Sequence, residues 1–242
     1  MTDELGGERI LGVLGGMGPL ASAHFMTRLT LLTQAETDQA HIPAVLWSDP
    51  RVPDRTRALA GGPSPLPALL RGMGVLRAAG ACAIVIPCNT AHGWYDELAI
   101  GAGVPVLHIV DTAIAALRRL GGAPGMAVGV LGTQATLSMR LYQDRLEAQG
   151  WTAIVPDAVE MRELVTPAIG LVKANRVDEA FAPLAEMANR LARRGARSVV
   201  LGCTEIPLAI LSGPADGIAV PLVDTIDALA LAAIAWAQGG VA

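Results

Sequence analysis

Two cysteines, Cys88 in AIVIPCNTAH and Cys203 in VVLGCTEIPL, each follow a short β-branched apolar run and precede a segment that reads as a helix start. A thiol at a strand end, facing the N–H groups of a following helix, sits where its thiolate is stabilised. A free cysteine is most often a small buried hydrophobe, and that reading suits Cys82 inside ACAIVI. For Cys88 and Cys203 the strand-end place, the polar neighbours and the matching contexts favour catalysis. One thiol suits nucleophilic attack with a histidine base. Two thiols on opposite faces of one carbon suit stereoinversion: a thiolate removes a proton from one side while a thiol donates one from the other. Disulfide exchange is the rival, but neither cysteine has C-x-x-C spacing. Three cysteines and scattered histidines show no zinc-ligand spacing, so no metal is expected.

The elements that must hold these thiols alternate. Strand-like runs at Ile10–Leu14, Ala44–Trp47, Ala83–Ile86, Val104–Ile109, Ala127–Leu131, Ala153–Val155, Ser198–Leu201 and Ala219–Leu222 are separated by amphipathic segments such as Pro19–Thr33, Pro67–Ala79, Ala135–Gln149 and Val177–Arg194. This pattern predicts an α/β fold with parallel sheets and helices on both faces. Three landmarks recur in order. GVLGGMGPLAS from Gly12 matches GVLGTQATLS at an offset of 117, AAGACAIVIPCNT from Ala78 matches RRGARSVVLGCTE at 115, and HIVDTAIAAL from His108 matches PLVDTIDALA at 113. They read as two pseudo-symmetric copies of one unit. Loops after the strands of such units form the ligand crevice, so Cys88 and Cys203 should face each other across an interdomain cleft. The Gly/Pro-rich GGAPG at Gly121–Gly125 marks the boundary, and the final helix, Val223–Ala237, returns to the first unit. The expected domains are 1–118 plus 213–242, and 119–212.

Other features keep two readings. LGGMGPLAS follows a strand and opens a helix; it suits a carboxylate-binding turn, a structural turn or, least well, a nucleotide site, because Asp49 lies too far on to be the ribose acid. Arg55 in RVPDRTRAL and Lys173 in GLVKANR read in isolation as solvated surface cations, yet a diacid substrate would need such groups. His92, four residues past Cys88, suits either tuning of that thiol or a packing and capping role. The Gly61–Leu70 loop has the composition of a flap or a plain connector.

Bulk composition narrows the class. In 242 residues, 52% are apolar and 3% aromatic, which fits closely packed helices on a sheet. A net charge of -4 and the lack of a basic stripe argue against a nucleic-acid partner. The apolar stretch Ala228–Ala237 is about half of what spans a bilayer, so no membrane role is expected. The acidic N-terminus lacks a signal core, and an odd cysteine count points to reduced thiols in the cytoplasm.

GVLGGMGPLAS, DQAHIP, RVPDRTRAL, IPCNTAH, the Lys173 segment and LGCTEIPL together resemble the aspartate/glutamate racemase family, in its aspartate racemase-like branch. The resemblance runs from about Leu11 to Thr225. It implies two pseudo-symmetric α/β domains, usually a homodimer, racemising a small amino acid without pyridoxal phosphate or any other cofactor. Cys88 and Cys203 would be the opposed acid–base pair; Asn89, Thr90 and Thr204 would hold the α-carboxylate; Met17 would face the substrate. Arg55 and Lys173 would engage substrate carboxylate, which reverses their isolated reading. Glu205 stands where the glutamate racemase branch usually carries histidine, which favours aspartate-type chemistry. Ala135 departs from an expected glycine, and with Thr133 near the cleft it bears on substrate breadth. Superfamily relatives catalyse decarboxylation, cis–trans isomerisation or hydantoin racemisation; a binding protein without turnover and a nicotinamide dehydrogenase are the rivals from other classes.

Overall fold

β-Branched runs form eight short strands in the computed structural model, which describes residues 9–211, 213, 214 and 217–240. They are β1 (Leu11–Gly15), β2 (Ala44–Ser48), β3 (Ala83–Val85), β4 (Val106–Leu107), β5 (Ala127–Gly132), β6 (Thr152–Ile154), β7 (Ser198–Gly202) and β8 (Leu222–Asp224). All pairings are parallel, in two sheets of order β2-β1-β3-β4 and β6-β5-β7-β8. The identical orders are the structural counterpart of the sequence repeat.

Proline shortens two strands relative to expectation. Pro105 and Pro221 cannot donate to a ladder, but their carbonyls accept from Ile84 N at 2.8 Å and Val199 N at 2.9 Å. Pairing therefore opens at each proline, and β8 begins only at Leu222, the last residue of the expected Ala219–Leu222, and runs on to Asp224. A second correction concerns Ala135–Gln149. It breaks into the helices Gln134–Ser138 and Gln143–Glu147, with Arg140 at φ 53 between them. The Gln143 side-chain amide donates to the Leu137 carbonyl at 2.9 Å, satisfying an acceptor that the break exposes.

Strand periodicity divides the core. Leu11, Val13, Ala83 and Val85 face a core that continues without interruption into Val128, Val130, Val199 and Leu201 of the other sheet. Their neighbours Leu14, Ile84 and Ile86 turn the other way, against Leu69, Met73 and Leu76 of the helix Leu66–Ala78. Two pseudo-equivalent helices stitch the lobes together. Ile109–Arg119, which follows β4, packs on β7 and β8 of the second sheet; Thr225–Ala237, which follows β8, packs on β4, on Ile109–Arg119 and on the first-lobe helix Pro19–Leu32. The segment 213–242, expected to belong wholly to the first unit, is thereby split. β8 pairs in the second sheet, and the helix after it packs against the first lobe. Among the described residues no helix is long and apolar enough to cross a membrane.

Candidate active site

In both sheets the chain leaves the first strand for one neighbour and returns to the other side, so the crevice opens beyond the carboxyl ends of β1 and β3, and of β5 and β7. A small cavity lies there, between the loops of the two sheets. Cys88, Asn89 and Thr90 line it from the loop after β3, and Cys203, Thr204 and Glu205 from the loop after β7. Met17, Thr133, Arg55 and Lys173 complete the wall, so all ten residues singled out in the sequence meet in one place. Asp54 and Thr56 also line it and were missed. Asp54 could have been noticed: it stands directly before Arg55, and its side chain caps the helix Arg55–Leu59 by accepting from Arg57 N at 2.8 Å.

Cys82 does not share this environment, nor is it buried as expected: it is exposed, with its Sγ donating to the Gly80 carbonyl at 3.4 Å. The reason is the two-residue period. Ala81 and Ala83 point inward, so the residue between them points out.

Cys88 and Cys203 are both buried, and Cys203 is held in a specific state. Its Sγ donates to Glu205 Oε2 at 3.0 Å. Burial first, and the Glu205 charge second, push the Cys203 thiol well above its ordinary range, with Lys173 opposing weakly. Cys203 therefore carries a proton near neutrality. Glu205 Oε1 in turn accepts from Gly18 N, on the other lobe, at 3.1 Å. The LGGMG turn does hold a carboxylate through its backbone, then, and that carboxylate is the protein's own. Its shape is demanded by packing: Gly16 has φ +93, and a Cβ there would lie 2.4 Å from the Asp49 backbone. The Asp49 carboxylate is committed to Arg51, at 2.8 and 3.0 Å, leaving no ribose acid for a nucleotide reading.

The loop after β3 is fixed by contacts across the lobes. Asn89 Nδ2 donates to Thr225 Oγ1 at 3.1 Å, Thr225 Oγ1 donates to the Leu201 carbonyl at 2.9 Å, and the Tyr142 hydroxyl donates to Asn89 Oδ1. The Asn89 side chain is thus largely committed within the protein, with one amide hydrogen remaining. Thr90 Oγ1 lies 2.9 Å from both Thr133 Oγ1 and Thr136 Oγ1, and those two are 3.0 Å apart, so three hydroxyls from two lobes share protons. Tyr142, Thr136 and Thr225 escaped sequence reading. Thr225 alone left a trace, the Asp-Thr pair that recurs at Thr112 and Thr225.

His92 resolves toward positioning. It is buried, its Nδ1 lies 3.0 Å from the Cys88 carbonyl, and its Nε2 accepts from Ile109 N at 3.2 Å. That acceptance assigns the proton to Nδ1, which donates to Cys88 O. Burial pulls the imidazole pKa down to about 4.

The two cations come from distant elements. Arg55 begins a short helix; its Nη1 donates to the Pro53 carbonyl at 3.2 Å and its Nη2 to the Met17 carbonyl at 3.3 Å, while its buried Nε has no partner. Lys173 ends the helix Thr166–Lys173, which continues from a π-helical turn at Met161–Val165 where Thr166 N donates to Met161 O. Pro167 lacks an N–H and crowds the preceding turn, so the widened turn accommodates it and resets the helical phase that delivers Lys173 to the cavity. Among the described residues neither cation makes an ion pair within 4.0 Å. Lys173 is also the single lysine in a chain with 18 lysines and arginines.

Known proteins share this fold. The family model for Asp/Glu/Hydantoin racemase matches residues 14–233. An aspartate racemase from Picrophilus torridus superposes with a TM-score of 0.83 at 32% identity, over 95% of this chain and 94% of that one. The broad specificity amino-acid racemase RacX of Bacillus subtilis is 29% identical over 154 residues, 61% of this chain and 65% of RacX. A glutamate racemase from Beutenbergia cavernae is 35% identical over 145 residues, 55% of this chain and 45% of that enzyme. The chain thus matches less than two thirds of the length of either of these two relatives.

Proposed function

This chain belongs to the Asp/Glu/Hydantoin racemase family, and on that premise we propose that it is a cofactor-independent racemase of acidic amino acids, aspartate foremost. The observation that carries the reading is the pair of cysteines at equivalent strand ends, Cys88 after β3 and Cys203 after β7, on the wall of one cavity. The likeness to the Picrophilus torridus aspartate racemase supports the choice of substrate.

In one direction Cys88, as thiolate, removes the α-proton while Cys203 delivers its own proton to the opposite face; in the other direction the roles exchange. Glu205 keeps the proton on Cys203 until it is needed and moderates the charge change when it leaves. The α-hydrogen of an amino acid is a weak acid, so the developing enediolate must be met by fixed donors in a dry cavity. Thr90, Thr133 and Thr204 hydroxyls, the remaining Asn89 amide hydrogen and the backbone after each cysteine fill that role. Arg55 and Lys173 take the side-chain carboxylate, the buried unpartnered Arg55 Nε being the donor in want of an acceptor. The Asp54 carboxylate is the acceptor for the ammonium group.

The test is α-deuteration of each enantiomer of aspartate in heavy water without pyridoxal phosphate, followed alongside circular dichroism. Cys88→Ala and Cys203→Ala should each abolish racemisation, a loss of at least about 100-fold. Full racemisation by either variant refutes the two-base assignment, and tight binding without any exchange in the parent protein favours a non-catalytic receptor.

A further inference from the structure

Glu205 touches both sides of one wall. It lines the small cavity together with Cys203, and it also lines a hollow at the protein surface whose rim carries the exposed Pro19, Leu20 and Pro50. Its two oxygens are divided between the two sides. Oε2 accepts from Cys203 Sγ at 3.0 Å, at the cavity. Oε1 accepts at 3.1 Å from the backbone of Gly18, a residue that lines the hollow.

Two-base racemisation leaves a problem that this placement answers. After one inversion the attacking thiolate holds the substrate's proton and the donating thiol has lost its own. The same enantiomer cannot react again until both are reset. Cys203 is only 3% exposed, so its sulfur has scant direct access to the protons of bulk water. Its hydrogen-bond partner is a carboxylate whose other oxygen adjoins the surface hollow.

We infer that Glu205 relays protons between solvent and Cys203, resetting the thiol pair between turnovers. Once Cys203 has given up its proton, water or a buffer acid at the hollow protonates Oε1 and is left as its conjugate base. The terminal carboxyl torsion is two-fold, so a half-turn carries the O–H to the sulfur and brings the former Oε2 to Gly18 N. Both contacts are remade. The O–H bond breaks as the S–H bond forms, and the carboxylate is restored. Cys88 returns the proton it took to a solvent base, so the total charge is unchanged. The inference rests on the racemase reading and adds to it a step that lies outside the chemistry on substrate.

Net conversion of a pure enantiomer needs one reset per turnover. Passage of a trace of carbon-13-labelled D-aspartate into the L form within an unlabelled racemic pool does not, because each protonation state of the enzyme meets the enantiomer it can use. The experiment compares these two rates, at equal total aspartate, in the parent and in Glu205→Gln. Expected is a ratio of tracer exchange to net conversion at least about 10-fold higher in the variant, whatever its overall turnover. A merely structural loss slows both rates alike, so an unchanged ratio overturns the inference. A second measurement uses the parent alone, at aspartate concentrations high enough for reset to limit net conversion. Raising buffer acid at constant pH and ionic strength should then raise the net rate at least about 2-fold. A rate independent of buffer overturns the inference too, and either result leaves the racemase reading intact. A parent that neither exchanges nor racemises aspartate brings down both together.

Discussion

Cys203 donates its thiol proton to Glu205 at 3.0 Å, and the other oxygen of that carboxylate is held from the opposite lobe by Gly18 N at 3.1 Å. The protonation state of one thiol is thereby coupled to the contact between lobes.

Replacing Glu205 by Gln removes the charge but not the burial. Burial is the larger cause of the raised Cys203 thiol, so the thiol should stay above its ordinary range while ionising at lower pH than in the parent. The corresponding arm of the pH–rate profile should move acidward by about one unit, with turnover reduced roughly 10- to 100-fold. Thiolate absorbance during a pH titration checks this directly. An unchanged profile would remove Glu205 from the proton path.

Arg55→Ala and Lys173→Ala should each lower kcat/KM for aspartate roughly 100-fold, the worth of a charge-assisted hydrogen bond. Exchange of alanine, which has no side-chain carboxylate, should change little. Equal losses for aspartate and alanine would mean that these cations hold the α-carboxylate or the fold instead.

His92 predicts an acid-side loss of stability. Its imidazole is held near about 4 in the folded protein, below the ordinary value of about 6.5. A base with a depressed folded pKa binds its proton more readily when unfolded. Stability from this group is therefore complete above about pH 6.5 and lost as pH falls toward about 4, on the order of 3 kcal/mol. Denaturant titrations at intervals across that window should show a shallower slope in His92→Gln than in the parent, the remainder coming from the buried neighbour His108, which is also held well below its ordinary range. The same slope in both proteins would assign it to other groups.

The Tyr142 hydroxyl and the Asn89 side chain meet across 53 residues of sequence. Tyr142→Phe leaves a buried Asn89 oxygen unpaired and should cost about 1–2 kcal/mol in chemical denaturation. The loop that carries Asn89 also carries Cys88, so kcat for aspartate should fall while KM changes less. Undiminished kcat in a destabilised variant would restrict Tyr142 to a structural role.

Much of the molecule was legible in the chain. Strand runs, helix starts and the three landmarks of the twofold repeat are local or periodic signals, set by side-chain alternation and turn chemistry, and they led to two parallel sheets with cysteines at equivalent strand ends. Prolines trimmed β4 and β8 because pairing registers at a carbonyl, not at a hydropathy edge. Cys82 turned outward for an equally local reason, one that the apolar character of its neighbours concealed.

Amino-acid types alone determined which groups are present for chemistry: two strand-end thiols, a carboxylate two residues after one of them, an arginine and a single lysine. Tertiary structure decided their states and partners. Glu205 meets Gly18 across 187 residues, Asn89 meets Thr225 across 136, and the helix after β8 crosses to the lobe it does not follow. Such contacts arise from how two sheets and their helices share one core. Proton affinity depends on the burial and charges that this packing supplies, and no stretch of neighbouring residues encodes it.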